Sequence, residues 1–186
     1  SVGATSQNIP VDGTGNAANP PTQLAITSIN GGGNVIQNTG FSVTVEAQDG
    51  SNNPQNVTAN TGISIVLNTG FGTLGGTLTG IILAGTSSVV ISGITYDSAE
   101  DGIVLDAQRT SGDVLTTGSS APFNVLGQAQ DLSFSGVPVG AVVNATLGTF
   151  QVDALRGDAT IATEFTGAVT IGILSGPGNI AGTLTQ

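Results

Sequence analysis

Side-chain catalysis needs a general base, a nucleophile or a metal-holding cluster, and this sequence of 186 residues is poor in all three. It has no His, Cys, Lys, Met or Trp, so imidazole, thiolate, amine and soft metal ligands are missing. Carboxylates remain. Asp97, Glu100 and Asp101 fall close together in YDSAEDG, and Asp106 and Asp113 follow on neighbouring segments. A hard cation takes about six to eight oxygens, several from carboxylates gathered by a loop, so Asp97, Glu100 and Asp101 are the residues that would hold calcium. Their spacing matches no EF-hand loop, and the plainer reading is a solvated acidic turn. A glycosidase-like carboxylate pair would have to come from Glu46, Glu100 or Glu164. Glu46 lies on the polar face of an alternating segment and Glu164 opens another, neither in an evident cleft, so the sequence reads as non-enzymatic. Arg156-Gly157-Asp158 spells the tripeptide read by animal integrins, and it is expected to be exposed in a shortened hairpin turn. Gly-Asp is also ordinary turn chemistry.

Two arginines, Arg109 and Arg156, stand against 12 acidic residues, for a formal charge of -10. Neutralising phosphates takes several cations on one face, so nucleic acid and anionic membrane surfaces are excluded as partners. No apolar run approaches the ~18 residues of a spanning helix, so membrane insertion is not expected. The opening SVGATSQNIP carries neither a basic segment nor an apolar core, and a secretory leader is expected to lie outside these residues. With 38% hydrophobic residues, only 8% charged and a positive mean hydropathy, the chain has enough Val, Ile, Leu and Ala for a core and is read as ordered.

The elements that position these groups are strands, because the apolar period is two. Phe41, Val43, Val45 and Ala47 alternate with Ser42, Thr44 and Glu46, and Ile63, Ile65 and Leu67 repeat the pattern. Val89 with Ile91, Ile94 with Tyr96, Ile103 with Leu105 and Ala107, and Phe123 with Val125 continue it. Clusters such as Asn30-Gly31-Gly32-Gly33, Asp49 to Pro54, Asp101-Gly102 and Ser111-Gly112-Asp113 read as the intervening turns. Residues 24 to 126 thus carry about seven to nine short strands, the number in an immunoglobulin-like antiparallel sandwich. Tyr96, the only tyrosine, is expected to pack at a corner between sheets.

The sequence also repeats itself. TQLAITSINGGGNVIQNTGFSVTVEAQDG, from residue 22, returns from residue 130 as QDLSFSGVPVGAVVNATLGTFQVDALRGD, and ISIVLNTGFGTLGGTLT at 63 to 79 returns as VTIGILSGPGNIAGTLT at 169 to 185. The expected organisation is all-β: tandem immunoglobulin-like antiparallel β-sandwiches, the second incomplete in this chain. Residues 1–21 form a linker or the end of a preceding repeat, 22–126 the first repeat, 127–129 a connector, and 130–186 the N-terminal part of a second. Ile81 to Leu126 have no second copy, so the second unit is either part of a longer protein or completed by a strand from another chain.

The phrases FSVTVEAQD, GTLGGTLTG, ISGITYDSAEDG and AQRTSGD resemble the tandem immunoglobulin-like repeats of very large, type 9-secreted surface proteins of Bacteroidota, including gliding-adhesin filaments. The resemblance covers 22 to 126 well and 130 to 186 more weakly. It implies an extracellular stalk on the bacterial cell surface that spaces and presents an adhesive tip in adhesion or gliding. Its partners would be neighbouring repeats of the same protein, surface polysaccharide or other subunits, and it implies no cofactor other than the calcium considered above. A filament subunit completed by strand exchange and a carbohydrate-binding sandwich are the alternative readings, the latter without the usual Trp or Tyr platform. Asp97-Ser98-Ala99 also fits the Asp-Ser/Thr-apolar acceptor pattern of O-glycosylation in that phylum, marking Ser98 as a sugar site. The alternative role of Ser98 is to cap the turn.

Overall fold

The structure, a computed structural model, describes residues 19–140, 142, 144–173 and 175. Most of the expected linker at 1–21, and the second GTLT phrase, lie outside the described residues. The chain divides into two compact units between Gly127 and Gln128, within the expected connector.

The first unit is an all-β sandwich. Its strands are β1 (Gln23–Ile29), β2 (Val35–Ile36), β3 (Phe41–Gln48), β4 (Thr61–Thr69), β5 (Leu74–Gly76), β6 (Thr79–Ile82), β7 (Ser88–Tyr96), β8 (Glu100–Arg109), β9 (Gly118–Ser119) and β10 (Phe123–Leu126). One sheet has the order β1-β3-β7-β5. The other has the order β2-β10-β8-β4-β6, with β9 on β8, and only its β2–β10 pair is parallel. The alternation of β3 buries Phe41, Val43, Val45 and Ala47 and turns Ser42, Thr44 and Glu46 outward. These side chains and Ile91, Ile94 and Tyr96 of β7 meet Ile63 and Ile65 of β4, Ile103, Leu105 and Ala107 of β8, and Val125 of β10 in one core. Each fully buried Ile or Leu contributes about 2–3 kcal/mol by leaving water.

Two features depart from a strict period of two. The pairs Val89/Ile91 and Ile94/Tyr96 read as two strands, yet they form one. Gly93, at φ 81, lies beside a register shift against β3, and the extra residue returns Ile94 and Tyr96 to the face that buries Ile91. Asp101-Gly102, expected as a turn, lies inside β8. Gly102, at φ 76, accompanies the register shift against β10, and the turn itself is Asp97 to Ala99, joining the two sheets.

The second unit contains β11 (Ala129–Ser135) paired antiparallel with β12 (Gln151–Arg156), the counterparts of β1 and β3. The pairing has slipped. Leu24 faces Ala47, whereas its counterpart Leu132 faces Ala154, two residues short of Arg156. A slip of two preserves which face each side chain occupies, and with it the turn that follows is not shortened as expected: Asp49 N–H reaches the Asn53 carbonyl and Arg156 N–H the Thr160 carbonyl across the same number of residues. Residues 169–173, the expected counterpart of β4, carry no strand. In the first unit β4 is held by β6 and β8, which have no counterpart among the described residues of the second. Leu132, Phe134 and Ile161 are about half exposed, whereas Leu24, the counterpart of Leu132, is buried.

The slip also corrects the expectation that Arg156-Gly157-Asp158 is exposed as a whole: Gly157 and Asp158 are exposed, Arg156 is not. The Arg156 N–H donates to the Thr160 carbonyl as that of Asp49 does to Asn53, and Arg156, like Asp49, is buried. Its guanidinium donates to the Ile161 carbonyl (2.6 Å), to Thr160 Oγ1 (3.3 Å) and to Glu164 (2.6 Å), and Asp158 accepts from Thr160 N and Oγ1. The arginine is therefore spent inside the unit and cannot be presented to a receptor. Arg156→Ala leaves the Glu164 carboxylate without its cation and the Ile161 carbonyl without its donor. Because Glu164 is partly solvated, the expected cost to the second unit is about 1–3 kcal/mol. Faster amide exchange at 151–162, with the first unit unchanged, is the readout.

Candidate functional site

The acidic residues singled out by spacing converge on backbone. The loop from β4 to β5 crosses between the sheets at the end where β7 turns into β8, and three consecutive N–H groups of that loop are held by side chains from the β7–β8 corner. Phe71 N–H donates to both Glu100 carboxylate oxygens (3.0 and 3.2 Å). Gly72 N–H donates to the Tyr96 hydroxyl oxygen (2.8 Å) and Glu100 Oε1 (3.1 Å), and Thr73 N–H to Asp97 Oδ1 (2.7 Å). The Tyr96 hydroxyl in turn donates to Glu100. Tyr96 is 1% exposed, at the corner between sheets as its position in the sequence suggested.

These contacts set the electrostatics. Burial, reinforced by the Glu100 carboxylate that accepts its proton, pushes the Tyr96 hydroxyl up to about 12. The Tyr96 hydroxyl, with the Phe71 and Gly72 N–H groups, holds the Glu100 carboxyl below its ordinary value, and the Thr73 N–H foremost does the same for Asp97.

Asp97 and Glu100 are thus positioned, but not with Asp101 as a cation site. Among the described residues no three acidic side chains form a group able to hold a metal ion. A cation at this corner would compete with N–H donors already in place. Calcium, or its removal by a chelator, is therefore expected to move the melting temperature by less than roughly 1 °C, checked by calorimetry.

Ser98 sits on the turn with Oγ 3.1 Å from Asp97 Oδ1, half-buried because the Gly72 backbone lies against it. A Cβ built on Gly72 would come within 2.8 Å of Ser98 Cβ and 2.7 Å of Asp97 Oδ1, so only glycine allows the approach. Of the three carboxylates considered for catalysis, Glu46 accepts from Gln48 Nε2, Glu100 accepts from the loop N–H groups and Glu164 pairs with Arg156. Asp113 does for another loop what Asp97 does here, accepting from Thr58 N, Thr58 Oγ1 and Ala59 N.

The corner displays a residue that sequence reasoning passed over. Phe71, at the tip of the pinned loop, is fully exposed, at 101% of its reference surface. A scan against protein-family models and searches of curated proteins and of solved structures return no match. The chemistry of the site therefore rests on its own geometry: a loop held at three consecutive N–H groups, with one exposed aromatic ring at its tip. The Gly-Phe-Gly spacing was the available signal, since a bulky apolar residue between two glycines belongs to neither strand pattern.

Proposed function

We propose that this chain is a repeat region of a secreted bacterial cell-surface adhesin filament, spacing and presenting an adhesive tip. The observation that carries the reading is the path of the chain through the first unit. It enters where Thr22 N–H donates to the Gln48 carbonyl, and leaves where Gly127 lies beside Ala99, at the end of β3 marked by Phe41. Entry and exit thus lie at opposite ends of the strands. A unit threaded in this way adds about 25–30 Å of reach, the length of its eight- or nine-residue strands. The internal repeat supports the reading further, as does an acidic Ser/Thr/Gly-rich surface suited to solubility.

A second reading, a filament subunit completed by strand exchange, draws support from the half-exposed Leu132, Phe134 and Ile161 of the second unit. Antibodies against the full chain, used for immunoelectron microscopy on intact cells of the source organism, test the surface assignment. Label standing off the cell surface is expected, and label confined to the cell interior would sink it.

A further inference from the structure

The two units hold the same crossing differently. In the first, the chain between β1 and β3 is tied along its length: Asn30 Nδ2 donates to the Asn34 carbonyl (2.6 Å), β2 pairs with β10, Gln37 N–H donates to the Leu126 carbonyl (2.8 Å) and Asn38 N–H to that of Tyr96 (2.8 Å). Between β11 and β12 no strand forms among the described residues, and no counterpart of β7 or β10 stands there to hold one. Residues 137–140 make no hydrogen bond among the described residues. Val137-Pro138-Val139 is nonetheless set in extended form, because proline fixes its own φ and keeps the residue before it out of the helical region. Pro138 is half-buried beside Gly148, while Val137 and Val139 stand out on either side of it, Val139 at 110% of its reference surface and Val137 at 56%. An endopeptidase takes its substrate in this form, pairing with free backbone and seating one side chain in a pocket.

We propose that the peptide bond between Val139 and Gly140 is a processing site for an endopeptidase whose pocket takes a small aliphatic side chain. Water supplies the hydroxyl to the Val139 carbonyl carbon, the C–N bond breaks, and the remaining proton leaves with the Gly140 amine. Glycine after the bond places no Cβ in the way. The competing exposed aliphatic residues are tied down. Val114 is 84% exposed, but Asp113 N–H beside it donates to Thr61 Oγ1, Leu115 is buried, and Thr116 N–H donates to the Thr22 carbonyl. Val90 lies inside β7, between β3 and β5. The carbonyl of Leu83 accepts from Thr86 N–H and that of Val142 from Ala145 N–H, which folds both into turns, and Val169 is half-buried. A cut after Val139 leaves β11 on one piece and β12 on the other. A two-stranded sheet is marginal by itself, so the piece carrying the first unit comes away from the rest. The site does not depend on the adhesin reading.

The test treats the full chain with limiting neutrophil elastase, a probe whose small pocket suits such a side chain, and reads the products by mass. The first cut is expected after Val139, and the piece ending there should elute apart from residues 140–186 in gel filtration. Val139→Glu, at a position in full contact with solvent, should slow that cut about tenfold or more without moving the melting temperature. Val114→Glu should leave its rate unchanged. A first cut at any other bond, or a Val139→Glu chain cut there as fast as the wild type, overturns the site. Pieces that stay together after the cut overturn the release.

Discussion

Tyr96→Ala is expected to destabilise the first unit by about 3–5 kcal/mol, the range for deleting a large buried aromatic side chain. The ring is 1% exposed and lies in the core with Ile94 and Ile103, so its removal leaves a cavity that two packed sheets cannot collapse. The hydroxyl has a separate role. Tyr96→Phe retains the ring but removes a partner from Glu100 and from Gly72 N–H, so about 1–2 kcal/mol is expected, with faster amide exchange at residues 71 to 73. Urea unfolding separates the two variants by their midpoints.

The same corner dictates opposite responses to acid and base. Tyr96 is raised when folded, so its contribution is complete below the ordinary tyrosine value near 10 and is lost as pH rises toward about 12. The chain contains one tyrosine and no tryptophan, so ultraviolet absorbance reads this titration alone, and tyrosinate should appear near pH 12 in the folded chain. Asp97 and Glu100 are lowered. Their contribution is present above the unfolded carboxylate values near 4 and is lost as pH falls below them. Acid should therefore release the Phe71 loop, seen as exchange at Phe71, Gly72 and Thr73.

Gly118→Ala is the second large effect expected, about 2–4 kcal/mol, because backbone rather than side chain stands in the way. A Cβ at Gly118 would lie 1.9 Å from the Leu24 carbonyl oxygen and 2.4 Å from its carbon. β9 sits on β8 of one sheet while the segment just before it holds β1 of the other: Leu24 N–H donates to the Thr116 carbonyl, and Thr116 N–H to that of Thr22. Making room for the methyl group must part the two sheets along that seam. Gly50→Ala is the control, since nothing lies within 4 Å and the position should tolerate it to within about 0.5 kcal/mol. Thermal unfolding of both variants checks the contrast.

Much of the core was legible in the sequence, though Val57, Ile82 and Leu115, outside any alternating run, were not. Where one face is buried without interruption, as from Phe41 to Ala47, a period of two identifies the inward side chains, because only that geometry alternates them. The repeated phrases put a change of unit at 127–129, and the chain divides into two compact units between Gly127 and Gln128. The bulges at Gly93 and Gly102 were illegible, because a glycine at positive φ has the same local chemistry in a turn and inside a strand. The polar residues take their roles from contacts between distant segments. Asp97 and Glu100 suit a cation or a set of N–H groups equally well, and the β4–β5 loop, 24 to 29 residues earlier in the chain, supplies the N–H groups. Arg156 in a short Gly-Asp turn looks solvated until a two-residue slip of β12 carries it inside. Phe71, which belongs to neither strand pattern, is left in water by the crossing between sheets. Periodicity is a property of neighbours along the chain, whereas the partner of a carboxylate, a guanidinium or an aromatic ring is set by segments that only folding brings together.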